Sequence, residues 1–339
     1  MEPISQPTIR KSTESIAGLL FIGDPHVEGR TPGFRKDDYP QSILNKLVWI
    51  MDYAEQHQLQ PVLLGDVFDK PRDNPNWLLS KLLDLFARGS IPTIYGNHDC
   101  ANPALDENDS LMLLAKAGAV YLLDSEHLWM GSVEGRTVVL GGSPYRHPIP
   151  ERFVLTEVVS ETSDKDSHGE PLVIWITHHD LAFPTNDDAV VTDLYAIPGI
   201  HYVINGHIHR RAPTTVERDK TIWVNPGNIS RRSRTDAIRG HVPAVLRMDI
   251  TSDGQWLHYV DVPHQLADEV FFDLTSLEND AMEGNQSSFV TGLALLQSRK
   301  TYSGAGLMEF LRENVVQFEP DVASEILQLA QDVLESNKE

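Results

Sequence analysis

Five short stretches of this chain follow one rule: an apolar run of strand type ends, and side chains able to bind a metal begin. They are "FIGDPHV" with Asp24 and His26, "LLGDVFD" with Asp66 and Asp69, and "YGNHD" with Asn97, His98 and Asp99. "WITHHD" with His178 and His179, and "INGHIHR" with His207 and His209, complete the set. Imidazole suits zinc, iron and manganese, while carboxylate and amide oxygens suit harder ions such as manganese and magnesium. In an extended segment Asp-x-His and His-x-His present both ligands on one face, because side chains repeat every two residues. A carboxylate is the natural bridge between two metals. The residue types therefore fit a pair of divalent cations. His57, His127, His168, His201, His258 and His264 stand alone and read as structural.

The elements that must position these groups alternate along the first half. "LLFIG" (Leu19 to Gly23), "PVLLG" and "IPTIYG" read as buried strands. Between them Ile43, Leu44, Leu47, Val48, Ile50 and Met51 recur at helical spacing, and "NWLLSKLLDLFARG" closes a second helix at Gly89. "DSLMLLAKAG" is a third helix, with Asp109 as N-cap and Gly118 as stop. Strand-helix-strand units in series imply a parallel sheet with right-handed crossovers. Open α/β sheets place ligand sites at strand carboxyl ends, which is where the five stretches fall. "HLWMGSVEGRTVVLGG" predicts a hairpin about Glu134-Gly135. "LVIWITHH", "HYVINGH", "TIWVNPG" and the pair joined at Asp253-Gly254 predict further strands, hence two mixed sheets packed face to face with helices outside. Ser160 to Pro171 reads as a polar surface loop. A domain boundary is expected near Pro263 to Asp268, giving a catalytic domain over 1–263 and a mostly helical C-terminal extension over 264–339.

With 339 residues, 41% hydrophobic and 23% charged, the chain can bury a sizeable core and reads as globular. No apolar run approaches bilayer length, and "MEPISQPTIRKSTESIAG" lacks the apolar stretch of a secretory signal, so a cytoplasmic protein without membrane contact is expected. A single cysteine, Cys100, excludes an internal disulfide framework; it reads as a small buried hydrophobe more readily than as a nucleophile. The net charge of -21 taken alone argues against a nucleic-acid partner. The charge is uneven, however. Asp261 to Glu339 holds 15 acidic and 4 basic residues, whereas Asn205 to Gly240 holds 8 basic and 3 acidic ones.

Taken in order, Asp-x-His, Gly-Asp-x-x-Asp, Gly-Asn-His-Asp, a later His and Gly-His-x-His resemble the calcineurin-like metallophosphoesterase superfamily over Leu19 to about Ile250. The resemblance implies an α/β fold, a four-layer α/β/β/α sandwich, here with a small, mostly helical C-terminal extension. It implies two divalent metal ions, manganese foremost, with iron, zinc or magnesium as substitutes. Asp24, His26 and His209 would hold one; Asn97, His178 and His207 would hold the other; Asp66 would bridge them. His178 is preferred to His179 because the first His of such pairs aligns as the ligand, and Asp180 is a departure from the pattern. Asp69 and Asp99 are expected to orient neighbouring histidines and loops. Hydrolysis would use water activated between the ions, with His98 protonating the leaving oxygen.

Within the superfamily, "GDVFDKP" and "WVNPGNISRRS" look similar to the SbcD-type DNA repair nuclease subunit, although "NPGN" replaces its Pro-Gly-Ser. That resemblance implies a DNA exonuclease, DNA as partner, and an SMC-like coiled-coil ATPase docked on the C-terminal helices; a homodimer is also admitted. Arg210, Arg231, Arg232 and Arg234 would then hold phosphates flanking the scissile one. The alternative is a phosphodiesterase or phosphatase acting on small nucleotides or phosphoproteins.

Overall fold

The computed structural model describes residues 7–12, 15–33, 35–87, 89–155, 170–184, 186, 191–232, 240–251 and 253–272. The chain divides into two compact units, Met1–Arg232 with His241–Leu266, and Ser233–Gly240 with Ala267–Glu339. Of the second unit, only Gly240 and Ala267–Phe272 are described, the latter opening with a short helix, Ala267–Val270. The helical patterns expected further on, the loop expected from Ser160, and Arg234 lie outside the described residues.

The first unit is built on two sheets. The six-stranded one contains β2 (Gly18–Ile22), β3 (Leu59–Leu63), β4 (Ile91–Thr93) and β5 (Val120–Leu122), all parallel, with β12 (Ala244–Thr251) antiparallel beside β2 and β13 (Gly254–Asp261) antiparallel beside β12 at the edge. Helices α1 (Tyr39–Gln56), α2 (Asn76–Phe86) and α3 (Ser110–Lys116) make the crossovers. The seven-stranded sheet runs β1 (Thr8–Lys11), β6 (His127–Val133), β7 (Arg136–Ser143), β8 (Leu172–Thr177), β9 (Tyr202–Asn205), β11 (Thr221–Val224) and β10 (Val216–Arg218). β1, β5 and β10 are the strands the sequence did not announce. Each has only three or four residues, too few for a period-2 pattern to stand out.

The two sheets pack face to face. Leu19, Phe21, Val62 and Leu64 of one meet Leu140, Ile174, Ile176 and Ile204 of the other in a single buried cluster. Alternate residues of β2, Leu20 and Ile22, point the opposite way into a core shared with α1, α2 and α3. On α1 the buried stripe is Ile43, Leu44, Leu47, Ile50, Met51 and Ala54, while Val48 stays exposed. That helix starts at Tyr39, earlier than the apolar spacing suggests, because Asp38 caps it by accepting from the Gln41 amide at 3.1 Å and Pro40 suits the first turn. Over the outer face of the seven-stranded sheet, Val173, Trp175, Val203 and Trp223 pack against Leu181, Phe183, Leu194 and Ile197. Trp175 is fully buried, and its indole N–H donates to Ser143 Oγ at 2.9 Å. Strand ends are aligned: Ile22 pairs with Leu63 and Leu63 with Thr93 in one sheet, and Ser143 with Thr177 and Thr177 with Asn205 in the other. The loops that leave these strands therefore open at matched levels. Among the described residues no helix is long and apolar enough to cross a membrane.

Candidate metal centre

The five loops converge. Asp24 Oδ1 accepts from the His207 amide at 3.2 Å, and His178 Nδ1 donates to Leu64 O at 2.8 Å, so loops from opposite sheets are tied to one another. The approach is close enough to explain the glycines. A Cβ on Gly96 would fall 2.1 Å from Asp66 Oδ1, and one on Gly206 would fall 2.3 Å from Leu64 O and 2.8 Å from His178 Nδ1. Four of the side chains predicted as ligands sit on left-handed backbone: Asp24 (φ 36°), His26 (46°), Asp66 (45°) and His207 (70°). Non-glycine residues adopt that region at a cost, and such strain collects at functional sites.

Asp66 occupies the middle. Its Oδ2 lies 3.2 Å from His178 Nε2 and 3.6 Å from His26 Nε2, and its Oδ1 accepts from the His98 amide at 2.8 Å. His26 Nε2 and His209 Nε2 are 2.9 Å apart, and His207 Nδ1 is 3.0 Å from Asn97 Oδ1. Two groups have ligand atoms within 4.8 Å of one another: His26, Asp66 and His98; and Asp66, His178 and His207. Asp66 belongs to both. His98 falls in the first group by position, and its Nδ1 donates to Asp69 O at 2.8 Å. His178 faces this cluster, fully buried, whereas His179 turns away and bonds through Nε2 to His147 O at 2.8 Å. Asp99 is turned to the backbone: its carboxylate accepts from the Phe68 amide at 3.0 Å and the Gly96 amide at 2.9 Å, fixing the loop before Asn97.

The charge balance of the pocket matches the donor set. Asp24 is completely buried, and among the described residues its Oδ2 has no hydrogen-bond partner and His178 Nε2 has none of good geometry. Burial, then the neighbouring Asp66 charge, hold the Asp24 carboxyl well above the usual range, and the same two causes push Asp99 up to about 8. Burial would raise Asp66 too, but the rings of His178, His26 and His98 outweigh it and hold that carboxyl low. Burial drives His26 toward the neutral form that a metal requires. Divalent cations would let these carboxyls ionise together, so the residues present fit a pair of ions.

The arginines are placed differently from one another. Arg231 is buried, with its guanidinium donating to Gln265 O, and Arg35 donates to its carbonyl. Arg232 pairs with Glu28 Oε2 at 2.8 Å and with Asp69 Oδ1, and so borders the cluster. Arg210 is exposed. Cys100 packs in the core beneath α3, its thiol pushed up to about 11, chiefly by burial, as a structural cysteine would be. Two contributors were given no role by the sequence. Asp180 Oδ1 lies 3.0 Å from His207 Nε2. The Tyr145 ring lies 6.2 Å from that of His207, on the loop that leaves β7. The signal for the second was present: β7 is another apolar run ending in polar residues, "SPYRHP", but it carries no carboxylate and its histidine comes late.

The profile of the calcineurin-like phosphoesterase family matches residues 18–211, more than half of the chain. The chain belongs to that family. Calcineurin-like phosphoesterases are metal-dependent hydrolases that generally bind two divalent ions, and the mixed α/β fold with two large sheets agrees with their sandwich. No curated protein sequence matches. Similar solved structures include sulfate thiohydrolase SoxB of Thermus thermophilus, at 13% identity and TM-score 0.40, covering 77% of this chain and 57% of that one. The chain thus corresponds to little more than half of SoxB. Vps29 of Entamoeba histolytica matches at 14% identity and TM-score 0.28, covering 72% and 99%, and vacuolar protein sorting 29 of Cryptosporidium parvum at 10% and 0.30, covering 74% and 100%.

Proposed function

We propose that this phosphoesterase hydrolyses phosphodiester bonds in DNA, as an SbcD-like exonuclease acting in DNA repair or processing. Asp24, His26 and His209 would hold one divalent ion and Asn97, His178 and His207 a second, with Asp66 between them and manganese as the first choice. The observation that carries the dinuclear reading is Asp66, whose one carboxylate oxygen faces His178 at 3.2 Å and His26 at 3.6 Å. When bound, such ions polarise phosphoryl oxygens and make water acidic enough to attack near neutral pH. The chain supplies placement. Asp66 and the Asp99-braced loop fix Asn97 and His98 relative to the cluster. His98 is anchored at Nδ1 by Asp69 O and keeps part of its ring open to solvent, so as imidazolium it can pass the Nε2 proton to the leaving oxygen. Arg232 and the exposed Arg210 support a substrate with phosphates on either side of the scissile one.

A second reading is favoured by one observation. Arg231 is turned inward and Arg232 is engaged by two carboxylates, so less free positive charge faces the site than the sequence "RRSR" suggests. A small nucleotide or phosphoprotein would need less. Labelled single- and double-stranded DNA, bis-p-nitrophenyl phosphate, p-nitrophenyl phosphate and cyclic nucleotides, each assayed with Mn²⁺, separate the two. DNA should be degraded to short products. Intact DNA beside rapid hydrolysis of the small substrates would shift the assignment to the second reading.

A further inference from the structure

Asp180 is the residue by which this chain departs from its family's pattern, and its position gives it a task. Its Oδ1 lies 3.0 Å from His207 Nε2, on the side of the ring away from Asn97 Oδ1, which is 3.0 Å from Nδ1. A carboxylate only accepts, so the contact at Nε2 places the ring proton there and leaves the Nδ1 lone pair facing Asn97. Two lone-pair donors, Nδ1 and the amide oxygen, then stand 3.0 Å apart, and His207 has a ring nitrogen within 4.8 Å of ligand atoms of Asp66 and His178. The loop that delivers Asp180 is itself held. The buried Asn205 side chain accepts at Oδ1 from Thr177 Oγ1 at 2.8 Å and from the His179 amide at 3.1 Å, and donates at Nδ2 to His179 O at 3.1 Å. The Thr192 amide donates to Asp180 O at 2.9 Å, closing the far side. Asn205 is the last residue of β9, two positions before His207, so one amide sets the loop after β8 against the loop that carries the histidine.

We propose that Asp180 is a positioning residue: it fixes the Nε2–H form of His207 and aims Nδ1 at the second metal position. The proposal rests on the dinuclear reading of the site. Histidines that bind metals commonly give their other ring proton to a carboxylate, and removal of that partner typically costs 10–100-fold in affinity. His178 is served in the same way by Leu64 O, a backbone carbonyl that no substitution can delete; the partner of His207 is a side chain and can be removed.

The experiment compares full-length wild type with Asp180→Ala and Asp180→Asn. Mn²⁺ uptake is followed by calorimetry, and the His207 ring by nitrogen NMR of histidine-labelled protein without metal. Wild type should bind about two ions and show the Nε2–H form at His207. Asp180→Ala should keep one ion near wild-type affinity, weaken the other on the order of 10–100-fold, and lose the single tautomer. Asp180→Asn, whose amide oxygen can still accept, should fall between. Thermal unfolding of the metal-free proteins controls for the fold, and a general loss of structure would weaken both ions alike. Two ions bound by Asp180→Ala at wild-type affinity, or an unchanged His207 signal, would overturn the proposal while the dinuclear site stands. Wild type that binds no pair of ions would overturn the dinuclear reading, and this proposal with it.

Discussion

At the scale of single residues, His98 and Asp66 are neighbours with separable tasks. Asp66 faces both histidine groups, whereas His98 reaches the same cluster by a ring whose other nitrogen is already bonded to Asp69 O. His98→Ala should therefore lower turnover on the order of 100-fold or more while metal content stays near that of wild type. Loss of an ion in that variant, measured by elemental analysis, would make His98 a ligand, a role its position beside His26 and Asp66 also permits. Away from the centre, Lys46 is buried and donates to Ile229 O at 2.8 Å. Burial first, then Arg231 and Arg35, push its amine down to about 7 from an ordinary value of 10.5. Between pH 7 and 10.5 the unfolded chain binds the proton that the folded chain releases, so the stability from this group rises with pH across that window. Below pH 7 both states carry the charge and the cost is constant. The stability difference between wild type and Lys46→Met, read from chemical melts, should be constant below pH 7 and shift in favour of wild type from pH 7 upward; a constant difference from pH 6 to 9 would refute it.

At the scale of elements, the site is a set of loops at aligned strand ends, and their glycines are contact surfaces. A methyl group on Gly96 would meet Asp66 Oδ1 at 2.1 Å and His178 Nε2 at 2.6 Å. Gly96→Ala should thus cost roughly 1–3 kcal/mol of stability by overpacking, and should weaken metal uptake because it displaces Asp66 and His178 together. Urea melts and Mn²⁺ titration check this; a variant with wild-type values in both would mean the loops yield without loss. The helix ends show how far local signals reach. Asp109 does stand at the N-cap position of α3, yet its carboxylate makes no capping bond. It accepts instead from Arg72 Nε at 2.8 Å and from the Asp106 amide at 2.9 Å, since an ion pair outbids a cap when a guanidinium is within reach. Gly118 follows the helix with a left-handed φ of 77°, as a stop residue should.

At the scale of the whole molecule, the metal cluster lies within one compact unit, Met1–Arg232 with His241–Leu266. A chain ending at Leu266 should fold, bind divalent metal and cleave a small diester. It should lose either degradation of long DNA or association with an ATPase partner, the role proposed for the acidic C-terminal stretch. Circular dichroism, metal analysis, both substrates and a pull-down with a coiled-coil ATPase test this together. An insoluble or metal-free product would make residues beyond Leu266 part of the core. Excess chelator should abolish activity of the full chain, and its persistence would end the metal mechanism.

The sequence by itself determined the order of the main strands and helices, because long apolar runs and helical periodicity are local properties. It also determined the residue types at five strand ends, because those stretches are contiguous in the chain. What only the tertiary structure decided depends on distance. His179, beside the preferred His178, is held away from the cluster by His147 O. Arg231 points inward, because Gln265 O receives it, and Asp180 meets a histidine 27 positions further on. No pattern in the chain encodes those partners, since two of the pairings are set by which strands lie side by side in the seven-stranded sheet and the third by how the two sheets stack.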